Sequence, residues 1–398
     1  MDFSLSPEQR SWRLKARRFA EEELLPDLLR RDRMPDPRQT FDWDMIRKGS
    51  RSGFRTLAVP KEWGGHGADL VTQALVMTEL ARGDSGFSKT ISQCWRWSQL
   101  MATVCTEDQK EQFFKPFLAD ETYLLAMGGT EPNAGSDNRM PPESDPRAGW
   151  RLRAERKGDE WILNGTKIYI GNGSVAKLFF VPARTNPDVD IRKGTTLFMV
   201  PLDTPGFRVG SVSNKAGMRF YQNAELIFEN ARVPHANIVG GVNEGMTARS
   251  ADPSQFGEIA LAANALGICE AALDMAMAQA RTGTQGGQSM KDQQSVLLKL
   301  SEMHVFTEAL RSFVLRTAWD RDQVLRGTQY APEAVNAALA AIFAKEAMCK
   351  ATLLSMDIHG AAGARMKAGV DVLYRDAITT HVAGDIVHRL NVVKRLLK

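Results

Sequence analysis

The chain has 398 residues, more than one hydrophobic core usually organises, so we expect two or three packed units. Its hydrophobic fraction of 43% and charged fraction of 25% are typical of a globular protein and exclude a disordered or fibrous one. A net charge of +4, from 51 basic and 47 acidic residues, is too small to indicate binding to nucleic acid or to a membrane by itself.

The cysteines and the N-terminal sequence point to an intracellular protein. The cysteines are far apart in apolar or helical surroundings, so neither a disulfide framework nor a zinc site is expected. The chain begins without the basic, then apolar, pattern of a secretory signal, and it has no run of eighteen apolar residues. We therefore expect a cytoplasmic protein with no membrane span.

The first third of the sequence has helical periodicity. Ser6-Pro7-Glu8-Gln9 predicts a helix start, with Ser6 as the cap and Gln9 completing a capping box. Apolar residues then recur at three- and four-residue spacing, and similar patterns predict helices over 44–53, 68–81 and 86–105.

The period becomes alternating from about Gly149, which predicts a β unit. Asn164-Gly165 between two apolar runs predicts a hairpin with a type I′ turn, because both residue types tolerate positive φ. Further strands are predicted over 177–182, 195–202, 207–212 and 224–228. Helical patterns return after Gly240-Gly241, at 255–280, 293–325, 332–359 and 386–397. Sequential helical, β and helical blocks predict an α+β fold rather than an alternating parallel sheet.

Residues 130–137, Thr-Glu-Pro-Asn-Ala-Gly-Ser-Asp, carry a family resemblance. They resemble the Thr-Glu-Pro-x-Ala-Gly-Ser-Asp loop of the acyl-CoA dehydrogenases, and the other motifs of that family follow in order over nearly the whole chain. The resemblance implies an N-terminal α-helical domain over residues 1–125, a middle β-barrel-like domain over 126–238 and a C-terminal four-helix bundle over 239–398. It also implies FAD as cofactor and an acyl-CoA thioester as substrate.

The same resemblance implies the cofactor and substrate residues. Those expected at the flavin are Met127, Gly129, Thr130, Ser136, Tyr169, Ile170, Gly171 and Gly360. Ser136 and Ala383 are expected at the substrate. Small residues let backbone N–H groups approach the flavin edge that gains negative charge on reduction. A tight interdomain turn would use Pro132 and Gly135 equally well, and this alternative stays open.

Two flavin contacts depart from the family pattern. Tyr169 stands at the position of the family's tryptophan and Gly171 at that of a threonine, so the hydroxyl that addresses flavin N5 is missing. The Arg-x-x-Phe-Gly turn of the family is replaced by Gly283-Thr284-Gln285-Gly286-Gly287, with Arg281 nearby as a substitute. Asp357 stands at the position of a glutamine, where its charge would repel a pyrophosphate unless a cation intervenes.

The catalytic base is also displaced. The glutamate near the C-terminus of the family corresponds to Ala383, whose backbone N–H could still polarise the thioester carbonyl. Glu258, one residue from the alternative base position of some members, is the first candidate, and Asp385 and His381 follow. A solvated or ion-paired helix carboxylate is an equally good interpretation of Glu258.

The residues around Trp95-Arg96-Trp97 occupy the position that shapes the acyl end of the family's cavity. Two tryptophans there would favour a compact acyl group, and Arg96 or Lys89 could meet a distal carboxylate, although helix-core packing explains the tryptophans better.

Three functions remain open at this point. The chain is predicted to be a FAD-dependent acyl-CoA dehydrogenase that is a homodimer or homotetramer and passes electrons to an electron-transfer flavoprotein. The alternatives are a flavin-dependent monooxygenase or lyase on the same fold, and a non-catalytic subunit of a mixed assembly.

Overall fold

A computed structural model describes residues 4–138, 145–250, 256–332, 335–382 and 385–397. Within these ranges, helices occupy the first third, a sheet the middle and helices the last third, which confirms the predicted fold class.

The N-terminal block begins at the predicted cap. The Ser6 hydroxyl accepts from the Gln9 N–H, and the Gln9 side chain accepts from the Ser6 N–H, so the capping box is formed. Five-residue π-helical turns join α1 to α2 and α6 to α7. The helices are α1 (Pro7–Phe19), α2 (Leu25–Asp32), α3 (Trp43–Arg51), α4 (Leu70–Gly83), α5 (Ser85–Val104), α6 (Glu107–Gln109) and α7 (Lys115–Ala119).

The middle block is one sheet of eight strands. Its order is β6-β7-β3-β2-β4-β5-β8, and β1 pairs in parallel with β4. Some of its apolar residues, such as Phe179 and Phe198, form a separate core, whereas others, such as Phe180 and Met199, belong to the large helical core. The strands are β1 (Leu124–Met127), β2 (Arg153–Lys157), β3 (Glu160–Gly171), β4 (Ala176–Arg184), β5 (Thr195–Pro201), β6 (Phe207–Val212), β7 (Asn223–Pro234) and β8 (Ile238–Val239).

The predicted hairpin turn at Asn164-Gly165 is wrong. β3 runs through both residues, and the pairing with β7 shifts register beside them because β7 has one extra residue between Phe228 and Ala231. The φ of Gly165, 139°, favours glycine. The hairpin turn lies instead at Gly158-Asp159 between β2 and β3, where Gly158 has a φ of 63°. Asn164-Gly165 and Gly158-Asp159 both have residue types that favour turns. Residues 164 and 165 form no turn because β3 continues through them and pairs with β7.

The described part of the C-terminal block is helical, with one short β-hairpin between α9 and α10. The helix Val370–His381 was not predicted, because its sequence was interpreted only through its motif. The elements are α8 (Gly245–Ser250), α9 (Phe256–Thr282), β9 (Thr284–Gln285), β10 (Gln288–Ser289), α10 (Gln294–Leu325), α11 (Asn336–His359), α12 (Val370–His381) and α13 (Asp385–Leu396).

Helix α9 is the centre of this block. It is long and apolar enough to cross a membrane, but 78% of its most apolar eighteen-residue window is buried inside the protein. It packs closely on α4 at Gly267, where an added Cβ would lie 2.4 Å from the Thr78 carbonyl oxygen. The Asn264 amide also donates to the Ser85 carbonyl at 3.0 Å. These contacts fix the position of the helix that carries Glu258.

Candidate active site

A cavity of about 770 Å³ lies where the three blocks meet. Helix α5 contributes Lys89, Ser92, Gln93, Arg96 and Trp97 to its lining. Strands β1 and β3 and the loop after β1 contribute Met127, Gly129, Thr130, Tyr169, Ile170 and Gly171. The C-terminal block contributes residues that include Gly257, Glu258, Leu261, Arg321 and His388. Volumes of this size are typical of sites for cofactors and small substrates.

Most of the residues expected at the flavin therefore share one wall. The exceptions are Ser136, which is exposed in a short turn, and Gly360, which follows α11 with a φ of 58°. Neither is among the described residues that line the cavity. Ala383 lies outside the described residues, and Asp385 begins α13 with no described side chain.

The Thr130 loop is fixed from behind by a buried ion pair. Lys167 Nζ lies 2.7 Å from Glu131 Oε1, and their side chains are 0% and 5% exposed. Glu131 also accepts from the backbone N–H groups of Arg151 and Leu152, at 2.6 and 3.1 Å. Burial lowers the pKa of Lys167 to about 8, against the opposing effect of Glu131. A carboxylate satisfied from three directions holds the loop in one conformation.

Trp150 anchors the next part of the same loop. Its indole N–H donates to the Gly129 carbonyl, and two cations lie over its ring, Lys167 Nζ at 5.2 Å and Arg249 at 5.5 Å from the ring centroid. Such cation–π contacts stabilise a buried indole. The Gly129 carbonyl therefore already has a hydrogen-bond donor within the protein.

The end of β3 presents Tyr169 to the cavity. Tyr169 has a φ of 56°, and the residue is 64% exposed. Asn223 donates to its carbonyl at 2.7 Å and accepts from Lys215 Nζ at 2.7 Å. This chain of hydrogen bonds maintains a backbone conformation that tyrosine rarely adopts.

Tyr221 is a cavity residue that sequence reasoning missed. It lies against Gly171, and a Cβ added to Gly171 would be 1.7 Å from the Tyr221 hydroxyl oxygen. No motif marks Tyr221, because its neighbour is fifty residues away in the sequence.

Glu258 and His388 meet on the C-terminal side of the cavity. Glu258 lies in the first turn of α9 with a side chain 33% exposed, and its Oε1 is 3.5 Å from Nε2 of the buried His388. His388 was also missed, since only the packing of α13 against α11 brings it there. His381 is exposed at the end of α12 and is not among the described lining residues.

The two tryptophans of α5 have different surroundings. Trp95 is fully buried and donates to the Phe54 carbonyl at 2.6 Å, so it is a core residue. Trp97 lines the cavity, with Arg96 4.8 Å above its ring and Phe180 stacked on it at 5.3 Å.

The unusual residues expected near the flavin pyrophosphate have structural explanations. Asp357 is paired with Lys299 at 3.2 Å, so its charge is partly neutralised within the same chain. Gly286 and Gly287 form the turn between β9 and β10 with φ values of 58° and 76°. Arg281 is exposed at the end of α9.

The wall formed by 127–130 and 169–171 fits a flavin ring. It offers the Thr130 hydroxyl, the exposed ring of Tyr169 and, at Gly129, open space in which an added Cβ would meet nothing within 4 Å. An aromatic face and closely approaching backbone are the features that hold a flat aromatic cofactor.

Comparisons with known proteins identify the family and the fold. The profiles described as acyl-CoA dehydrogenase N-terminal, middle and C-terminal domain match residues 6–121, 126–231 and 243–397. A probable acyl-CoA dehydrogenase of Bacillus subtilis is 33% identical over 100% of both chains. The structure of butyryl-CoA dehydrogenase from Megasphaera elsdenii is 30% identical, with a TM-score of 0.89 and 100% of both chains covered. A glutaryl-CoA dehydrogenase solved with glutaryl-CoA is 27% identical, with a TM-score of 0.88 over 100% of this chain and 97% of the other.

Proposed function

Since the chain belongs to the acyl-CoA dehydrogenase family, whose members are flavoprotein oxidoreductases, we propose that it desaturates a CoA thioester with Glu258 as the base. Glu258 takes the α-proton, and the β-hydrogen leaves as hydride. FAD, when bound, supplies the acceptor for that hydride. The observation that carries the proposal is that Glu258 lines the same cavity as the wall that fits a flavin.

The position of Glu258 suits a general base. The close contact of α9 with α4 at Gly267 fixes the helix backbone that carries Glu258. A residue at position 258 reaches the cavity even though it is one step from the position expected from the family. The buried His388 lies beside the carboxylate.

In this proposal, residues of the Thr130 loop bind and orient the flavin. The Lys167–Glu131 pair and Trp150 fix the loop, so its backbone and the Thr130 hydroxyl present a preorganised surface to the cavity. Preorganised donors are effective because they need no rearrangement when charge develops.

The acyl end of the cavity favours an acyl group with a distal carboxylate. Among the described residues that line the cavity, four carry a guanidinium or ammonium group; they are Lys89, Arg96, Arg249 and Arg321. Trp97 limits the length available on the α5 side. A cationic side chain at this end can form a charge-assisted hydrogen bond with a substrate carboxylate.

The substrate proposal is tested with glutaryl-CoA and butyryl-CoA. We expect kcat/KM to be higher for glutaryl-CoA by about tenfold, since one desolvated charge pair contributes on the order of 1–2 kcal/mol. Arg96→Met is expected to remove most of this preference while changing butyryl-CoA turnover less. Equal values for both substrates in the unchanged protein would contradict the proposal.

The reaction itself is tested by absorbance. The purified protein should be yellow and should bleach when acyl-CoA is added without oxygen. Glu258→Gln should retain the yellow colour and lose the bleaching, because the amide cannot take the α-proton. Glu111→Gln is a matched control, since Glu111 is exposed and pairs with Lys115 at 2.5 Å far from the cavity lining.

The remaining candidates give different results. Loss of bleaching in Asp385→Asn, with Glu258→Gln unaffected, would move the base to Asp385. A colourless protein that stays colourless with added FAD would favour a non-catalytic subunit of a mixed assembly. A yellow protein that no acyl-CoA bleaches would favour a monooxygenase or lyase. Electron-transfer flavoprotein as acceptor, a homodimer or homotetramer, and a cytoplasmic location stay predictions.

A further inference from the structure

The loop between β6 and β7 brings a second tyrosine to the wall of the cavity. Tyr221 lies against the end of β3, and the three atoms nearest to a Cβ added at Gly171 are its hydroxyl oxygen, Cζ and Cε1, at 1.7, 2.2 and 2.9 Å. Real Cβ atoms do not approach other atoms so closely. Gly171 and Tyr221 therefore depend on each other, and the phenol occupies the space that any larger residue at 171 would need.

The loop is held firmly in this position. Lys215 Nζ donates to the Tyr221 carbonyl at 2.6 Å and lies 5.1 Å from the centre of its ring. The Met218 N–H donates to Asp376 of α12 at 2.5 Å, which ties the loop to the C-terminal block. Tyr221 is thus fixed from both the middle and the C-terminal blocks.

The hydroxyl of Tyr221 has no hydrogen-bond partner among the residues that the structure describes, although the residue lines the cavity. Burial raises the pKa of Tyr221, so its hydroxyl remains protonated and able to donate. Tyr221 is half-buried, and its hydroxyl is not among the buried polar atoms that lack a partner, so the hydroxyl is accessible from the cavity. It can therefore donate to a molecule that the cavity binds.

We propose that the Tyr221 hydroxyl hydrogen-bonds the flavin ring at the wall formed by 169–171, and so supplies the hydroxyl that Gly171 does not carry. This inference rests on the proposed function, because it requires that flavin binds at this wall. The inference also explains the glycine at position 171, because a larger residue there would overlap the Tyr221 ring. Tyr221 is a flavin-contacting residue that reaches the site from a different part of the chain.

The first test removes only the hydroxyl. Tyr221→Phe should fold normally, weaken the binding of FAD to apoprotein by about tenfold, which is the usual worth of one hydrogen bond in a buried site, shift the visible absorption bands and lower the flavin reduction potential. Tyr123→Phe is the matched control, because Tyr123 is half-buried and is not among the described lining residues. It should leave the dissociation constant, the spectrum and the potential unchanged.

The second test moves the hydroxyl from position 221 to position 171. Gly171→Thr alone should destabilise the protein and impair flavin binding, because its Cβ overlaps the Tyr221 ring. Tyr221→Ser alone should fold but bind FAD more weakly. The double variant Gly171→Thr/Tyr221→Ser should recover both thermal stability and FAD affinity relative to Gly171→Thr.

The outcomes separate this inference from the proposed function. If the unchanged protein binds FAD and Tyr221→Phe leaves affinity, spectrum and potential unaltered, the inference fails and the proposed function stands. The same holds if only the affinity for acyl-CoA falls, or if Tyr221→Phe does not fold, since the hydroxyl would then serve the substrate or the structure. If the unchanged protein binds no FAD, both fail.

Discussion

Asp376 is a buried carboxyl whose replacement by asparagine should stabilise the protein above neutral pH. It is 4% exposed, and it accepts hydrogen bonds from the Met218 N–H and the Ser85 hydroxyl, both at 2.5 Å. Burial, the largest influence, raises the pKa of Asp376 from 3.8 to about 7 despite these two donors. A carboxyl that binds its proton more tightly in the folded state stabilises the fold only while it is protonated.

The magnitude follows from that difference. Roughly three pKa units at about 1.4 kcal/mol each correspond to about 4 kcal/mol. This contribution to the free energy of unfolding is complete below about pH 4, the pKa of the aspartate in the unfolded chain. It is lost as the pH rises to about 7, the pKa in the folded protein. Asparagine has nearly the same shape, accepts from Met218 and donates to Ser85, so it mimics the protonated form at every pH.

Urea unfolding at several pH values tests this expectation. Asp376→Asn should match the parent near pH 4 and exceed it by up to about 4 kcal/mol at pH 8. Asp84 and Asp32 also face this carboxyl and contribute to raising its pKa, and each is paired with an arginine. Asp371→Asn on the same helix is the control, because Asp371 pairs with Arg375 at 3.0 Å and its loss should destabilise at pH 8. Parallel pH profiles for the parent and Asp376→Asn would refute the reasoning.

Two further predictions concern the surroundings of the site. Lys167→Met leaves the buried Glu131 without its cation, so the unfolding free energy should fall by about 3–5 kcal/mol. A Lys167→Met/Glu131→Gln double variant, which removes the charge but keeps an oxygen for the Arg151 and Leu152 N–H groups, should recover much of the loss in the same denaturation assay. Gly267→Ala places a Cβ 2.4 Å from the Thr78 carbonyl, so calorimetry should show a lower Tm and a loss of about 1–3 kcal/mol, whereas an unhindered helix position would gain up to about 1 kcal/mol from the same change. An unchanged or higher Tm would mean that α9 and α4 can separate without cost.

Features encoded by neighbouring residues could be predicted from the sequence. The Ser6 capping box depends on four consecutive residues, and it is formed. The β-rich runs carry their own period, so β4 to β7 fall near the predicted positions. The Thr130 loop is also a contiguous motif. The family resemblance that it carries led to most of the residues that line the wall formed by 127–130 and 169–171.

Features that depend on distant contacts could not be predicted. Asn164-Gly165 satisfies the local rule for a turn, but pairing with β7 extends β3 through it. Tyr221 and His388 reach the cavity only because the loop after β6 and helix α13 fold back onto other blocks. No spacing rule relates residues so far apart in the chain.

The contact between Gly171 and Tyr221 also restricts the order in which this sequence could have arisen. A side chain at 171 and a tyrosine at 221 exclude each other, because the added Cβ would overlap the phenol. With the tyrosine in this position, position 171 must be glycine. The effect of a substitution at either position therefore depends on the residue at the other, and the two substitutions should not be additive.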